Sequence, residues 1–290
     1  MKIIFSRKGF DGGSGGVPSP IFPDRRMLSL PIPDKNSLIA YNDIHWGVWN
    51  VGDIVESLTN GKIPSYYQAH LDPDIHLASL KRHHKWRPIF GQAGASQGHL
   101  RNQRVNTGDL FVFFGLFQEV IWKSGAWKLN STCLPKHVLW GWFQIDRCIA
   151  IENIDRTEFE WALYHPHFQR DSHASNTLYF ATKKLDIVGV EGNSIAGAGI
   201  FPQFLNTLQL TAPEKPVSVW KLPQWMYPKG NAPALSYHKS MKRWEKHANY
   251  TLLQTVGRGQ EFVLDCAYYP ESIQWLNNLL GSGVVANNEM

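Results

Sequence analysis

The chain reads as short β-like runs separated by turn residues, with few stretches at helical spacing. Lys2-Ile3-Ile4-Phe5 is apolar and partly β-branched, and Ser6-Arg7-Lys8-Gly9 stops it, which predicts a buried opening strand. Residues 110–117 (LFVFFGLF) are continuously apolar behind the turn Asn106-Thr107-Gly108-Asp109, the pattern of a strand covered on both faces. Residues 137–151 repeat that character after a turn near Gly125, and 176–181 and 260–265 predict two further strands. Apolar groups recur at 200–210 and 220–225. Helical spacing is clearest at Val51–Leu58, closed by Asn60-Gly61, and at 271–280, closed by Gly281. Residues 240–247 predict a basic helix. There is no repeat period and no βαβ alternation. The prediction is an α+β fold: one domain over residues 1–290, with a mixed, mainly antiparallel sheet and peripheral helices.

Composition narrows the classes. A hydrophobic share of 43% against 18% charged residues permits a large core and excludes wholesale disorder. The net charge of +5 favours polyanionic partners but falls far short of a histone-like binder. Twelve tryptophans form either an aromatic core or stacking surfaces for bases. Three scattered cysteines without CxxC spacing argue against a disulfide framework and a zinc finger. No apolar run approaches the ~18–20 residues a membrane span needs, so a cytoplasmic protein with no membrane partner is expected.

Four segments carry candidate chemistry. From Ser6 to Pro20 a strand exit, two cations (Arg7 and Lys8), Asp11, five glycines and the hydroxyls of Ser14 and Ser19 are crowded together. Glycines let backbone N–H groups turn toward an anion, so Ser6, Arg7, Lys8, Gly15, Gly16 and Ser19 are read as a phosphate or substrate loop. Asp11 is read as a base or hydroxyl holder. The string is neither a P-loop nor a dinucleotide fingerprint. In His70-x-Asp72-x-Asp74-x-His76 the four side chains would share one face of a regular strand, as metal ligands do. Pro73 opposes such a strand, so no metal is expected; Asp72 and Asp74 are read as substrate-binding carboxylates, with a solvated turn as the plain alternative. Tyr164-His165-Pro166-His167, with Arg170, Asp171 and His173 close behind, suits acid–base work through His165 and His167, or a surface turn. Gly257-Arg258-Gly259-Gln260-Glu261 offers an Arg258 fork and Gln260 to a phosphate and Glu261 as a catalytic carboxylate, or a plain hairpin turn. HExxH and kinase signatures are absent.

The string Phe5-Ser6-Arg7-Lys8-Gly9-Phe10-Asp11, followed by Gly15-Gly16-x-Pro18-Ser19-Pro20-Ile21 and Pro31-Ile32-Pro33, resembles the third family of nucleotide modification-associated domains. Asp72-Pro73-Asp74, Phe90-Gly91-Gln92, Gly108-Asp109-Leu110, His165-Pro166-His167 and residues 259–265 are compatible with it, which extends the resemblance over nearly the whole chain. The resemblance implies a place in bacterial or phage systems that modify DNA bases, with DNA or a nucleotide as partner and other proteins of a modification or defence system as further partners. Separately, the strands at 108–117 and 140–151 resemble barrel segments of PUA-like modules. Two functions from different classes follow. One is a base-modifying group transferase using Asp11, His165, His167 and Glu261. The other is a non-catalytic reader that clamps a modified or flipped base against Trp140, Trp142 or Trp46. No cofactor is indicated by the sequence.

Overall fold

Ile3, Ile4 and Phe5 are fully buried in the strand Lys2–Arg7, one place in from an edge of a nine-stranded mixed sheet. This computed structural model describes residues 1–170, 175–188, 195–257 and 259–284. Across the sheet the strands run Glu261–Asp265, Lys2–Arg7, Leu110–Lys123, Lys136–Ala150, Thr177–Ala181 and Ile89–Gln92. Ser19–Ile21 and Ala126–Leu129 pair with the far half of Leu110–Lys123, and Ala198–Ile200 pairs with Lys136–Ala150. Lys2–Arg7 lies parallel to Leu110–Lys123, with Ile3 opposite Leu110, and antiparallel to Glu261–Asp265. The neighbours along the remaining path are antiparallel.

The unbroken apolar run of Leu110–Lys123 has a simple cause: both faces of the sheet are covered. Alternate side chains of a strand point to opposite faces. Phe111 and Phe113 meet Phe90 and Phe143 on one face, while Phe114 meets Trp220 and Phe262 on the other. The sheet is open, so the barrel suggested by the PUA-like segments does not form. It is nevertheless coiled enough for its two edges to touch. Gln92 Nε2, at the end of one edge strand, donates to Glu261 Oε1, at the start of the opposite edge, across 2.5 Å.

Helix α1 (Val51–Leu58) stands where the spacing places it. The Asn50 side chain accepts from Gly52 N–H as its N-cap, and Val51, Ile54, Val55 and Leu58 pack into a second cluster with Tyr41 and Trp46. Helix α2 (Gly94–Asn102) follows directly from the edge strand Ile89–Gln92. Helix α3 (Glu271–Val284) continues past Gly281, where the sequence suggested an end. The basic helix expected at 240–247 is instead a 3-10 turn, Met241–Arg243, leading into the strand Trp244–Lys246. Trp244 is the one buried residue of that segment, so it has no apolar stripe to hold a helix against the core. The strand joins Tyr250–Gln254 and Val219–Pro223 in a small antiparallel sheet.

Candidate active site

Four parts of the chain converge where the two sheet edges meet. The strand Lys2–Arg7 delivers Arg7 and Lys8, and the strand Ile89–Gln92 delivers Gly91 and Gln92. The short strand Ala69–His70, paired with Ile32–Pro33, delivers His70 and Asp72, and the 3-10 turn Pro166–Gln169 delivers His167. Between them lies a cavity of about 240 Å³ lined by Arg7, Lys8, Asp72, Gln92, His167 and Arg170 among others.

Asp72 is the centre of its floor. Its Oδ1 accepts the Gly91 N–H at 2.7 Å and lies 3.3 Å from His165 Nε2. Its Oδ2 lies 3.8 Å from His70 Nε2 and 3.7 Å from His167 Nε2. Gly91 has no substitute here, because a Cβ on it would sit 2.2 Å from His167 Cδ2. Burial works against the charge of Asp72, but the surrounding histidines, His165 foremost, outweigh it and hold the carboxyl below the usual range. Burial pushes His167 down to about 3 and also lowers His70, so both imidazoles are neutral at pH 7.

The outer partners of these rings fix where each proton sits. His70 Nδ1 is 2.8 Å from Asp34 Oδ2, which also accepts from Arg170 at 2.6 Å. His167 Nδ1 is 2.5 Å from Asn176 Oδ1. The orientation of that amide is set by its nitrogen, which donates to the carbonyls of His167 and Arg170. Asp34 Oδ2 and Asn176 Oδ1 can only accept, so Nδ1 of each neutral ring carries the hydrogen and Nε2 presents a lone pair.

The opposite wall is cationic. Lys8 Nζ lies 3.3 Å from Glu261 Oε1 and 4.6 Å from the centre of the Phe90 ring. Glu261 is buried, and its Oε1 also takes the Ser6 hydroxyl at 3.0 Å and the Gln92 amide. Arg7 borders the cavity, but it pairs with Phe114, so its side chain leaves on the Trp220 face, where its charge helps to lower the His137 imidazole.

The candidates from the sequence distribute as follows. His167, Asp72, Arg7, Lys8, Asp11 and Gln260 line the cavity. His165 and Glu261 stand behind it, in contact with Asp72 and Lys8 respectively. Asp11 Oδ1 accepts from the Gly13 and Ser14 N–H groups and so shapes its own loop. Ser6 supports Glu261. Gly15 and Gly16 take positive φ, Gly15 against the Phe10 ring, and the buried Ser19 hydroxyl accepts from Leu30 N–H. Asp74 is elsewhere, fully buried in an ion pair with Arg82 and bonded to the Tyr164 hydroxyl. The chain turns between Asp72 and Asp74, so the four alternating residues 70–76 do not share a face. Trp140 and Trp142 are core residues, the first stacked on Phe113 and the second donating to Ala196 O. Trp46 is also buried, and with Trp140 it lines a separate cavity of about 70 Å³. Arg258, Asp171 and His173 lie outside the described residues. Asp34, Gly91, Gln92 and Asn176 were not singled out as site residues, since nothing in the linear pattern links them to Asp72.

A family model described as nucleotide modification associated domain 3 matches residues 2–265. No curated protein and no solved structure matches the chain. Among the described residues no helix is long and apolar enough to cross a membrane.

Proposed function

This chain belongs to the family of nucleotide modification associated domain 3, and from that premise we propose that it is an enzyme that modifies a nucleobase by group transfer, on a nucleotide or within nucleic acid, in the cavity around Asp72. The observation that carries this reading is the pairing of a cationic wall with a buried carboxylate floor across one nucleotide-sized space. Lys8 takes the phosphate, its ammonium standing on the cavity side beside Glu261. The amide of Gln260 presents a donor and an acceptor suited to a base edge. Asp72, held ionised with help from His165 and the Gly91 N–H, is a fixed negative charge at the cavity floor. It stabilises positive charge that develops beside it and is too weak a base to keep a proton. The stacking reader finds less support, because Trp142 and Trp140 keep their rings in the core.

Titration calorimetry with a nucleoside 5′-monophosphate and the matching nucleoside tests this arrangement. The monophosphate should bind the wild-type protein more tightly. Lys8→Met should weaken it at least tenfold and remove its advantage over the nucleoside. Equal affinities that Lys8→Met leaves unchanged, or no binding of either, would contradict the reading.

A further inference from the structure

We infer that His70, Asp72 and His167 form a binding site for one divalent transition-metal ion, open toward the cavity. One ligand atom from each residue lies within 4.8 Å of the other two. The Nε2–Oδ2 separations of 3.8 and 3.7 Å compare with about 3.4 Å between ligands around a tetrahedral ion with bonds of ~2.1 Å. Those two separations need to contract by a few tenths of an ångström, and the third, between the imidazoles, lies within 4.8 Å.

Two features beyond proximity favour an ion. First, the outer contacts occupy Nδ1 of both rings and turn Nε2 inward. Asp34 and Asn176 engage the Nδ1 atoms, so the two Nε2 atoms and a carboxylate oxygen are left facing each other. A cation is what relieves that arrangement. Secondly, the outer partners are those that metal-bound histidines use: a carboxylate on one ring, and on the other an amide oxygen itself held by two backbone carbonyls. Asp72 Oδ1 is occupied by Gly91 N–H, which leaves Oδ2 for the ion. His165 approaches Oδ1 and not Oδ2, so it braces the carboxylate from the side away from the ion. Two imidazoles and one carboxylate suit zinc, iron(II), cobalt(II) or manganese(II), with the remaining positions open to water or substrate.

The sequence pointed away from a metal because it offered His70, Asp72, Asp74 and His76 as the set. The structure replaces the last two with His167, from a distant turn. The site lies in the proposed active site, and its role in catalysis rests on that reading, but ion binding itself does not.

The test uses the full chain, stripped with a chelator and titrated with Zn²⁺, Co²⁺ and anaerobic Fe²⁺, with bound metal counted by mass spectrometry. One equivalent should bind, and Co²⁺ should give the absorption of a nitrogen- and oxygen-ligated, low-symmetry ion. His70→Ala, Asp72→Asn and His167→Ala should each lower affinity at least 100-fold. Asn176→Ala should lower it about 10–100-fold. Absence of stoichiometric binding by the wild-type protein would overturn the site, as would unchanged affinity in the folded variants. Should those variants fail to fold, X-ray absorption of the wild-type cobalt form decides, since a first shell without imidazole nitrogen contradicts the assignment. Metal bound without any nucleotide affinity would refute the proposed function alone; nucleotide affinity without metal would refute this site alone.

Discussion

At the scale of single residues the informative contrast is between Asp72 and Asp74, two carboxylates separated by one proline. Both are buried, but Asp72 faces imidazoles at the cavity floor while Asp74 is neutralised by Arg82 and capped by Tyr164. Removing one partner of a buried ion pair strands the other charge. Arg82→Met should therefore cost about 3–5 kcal/mol of stability, read from urea unfolding, while nucleotide affinity of the remaining folded protein stays within a factor of two. A small stability cost would show that Asp74 does not depend on Arg82. Gly91 makes the opposite case, a position where one methyl group reaches the site. Gly91→Ala places a Cβ against the His167 ring, so we expect a loss of about 1–3 kcal/mol together with weakened ion binding. Stability and ion affinity both equal to wild type would mean the ring has room to move aside.

At the scale of elements, the site depends on two edge strands that share no backbone ladder. Gln92 and Glu261 join them through side chains, and Lys8 and Ser6 complete the same knot. Glu261→Ala removes its common acceptor. Amide exchange should then speed up in Ile89–Gln92 and Glu261–Asp265 while the central part of Leu110–Lys123 keeps its protection. Uniform loss across the sheet, or none, would contradict a local role. Elements were legible where burial was uniform or strictly one-sided: apolar pattern over 2–5, 110–117 and 51–58 finds the strands Lys2–Arg7 and Leu110–Lys123 and α1, although both strands run on past the apolar residues. The segment 240–247 was misread because basic residues at helical spacing say nothing without an apolar face to dock, and α2 was missed because it buries only Gln97 and Leu100. The site was half legible. Arg7, Lys8, Asp72, His165, His167 and Glu261 stand out as chemistry-bearing types. Their grouping, and the parts of Asp34, Asn176 and Gly91, depend on strand pairing over long sequence separations that no local spacing encodes.

At the scale of the whole molecule, buried histidines outside the site add to the response to acid. His238 is fully buried, with Nδ1 donating to Ser236 O and Nε2 accepting from Val256 N–H, so a second ring proton has no acceptor. His137 Nδ1 accepts from Trp220 Nε1. Burial lowers them from 6.5 to about 4 and about 3 respectively. The unfolded chain therefore binds protons that the folded chain refuses, and stability is lost as pH falls from 6.5 toward 4. By pH 5 the loss should reach about 2 kcal/mol for each histidine, measured as a falling urea midpoint at constant slope. A flat profile between pH 7 and 5 would show that these rings are protonated in the fold.

The claim that binds these scales together is that the cavity at Asp72 changes a nucleobase. Mass spectrometry of nucleosides from the DNA and nucleotide pool of cells producing the wild-type protein, beside cells producing folded Asp72→Asn, tests it most directly. The account predicts a nucleoside gained or lost with the wild-type protein and restored to the control level with Asp72→Asn. Identical nucleosides in both cultures and the control, or a change that persists in Asp72→Asn, would contradict it.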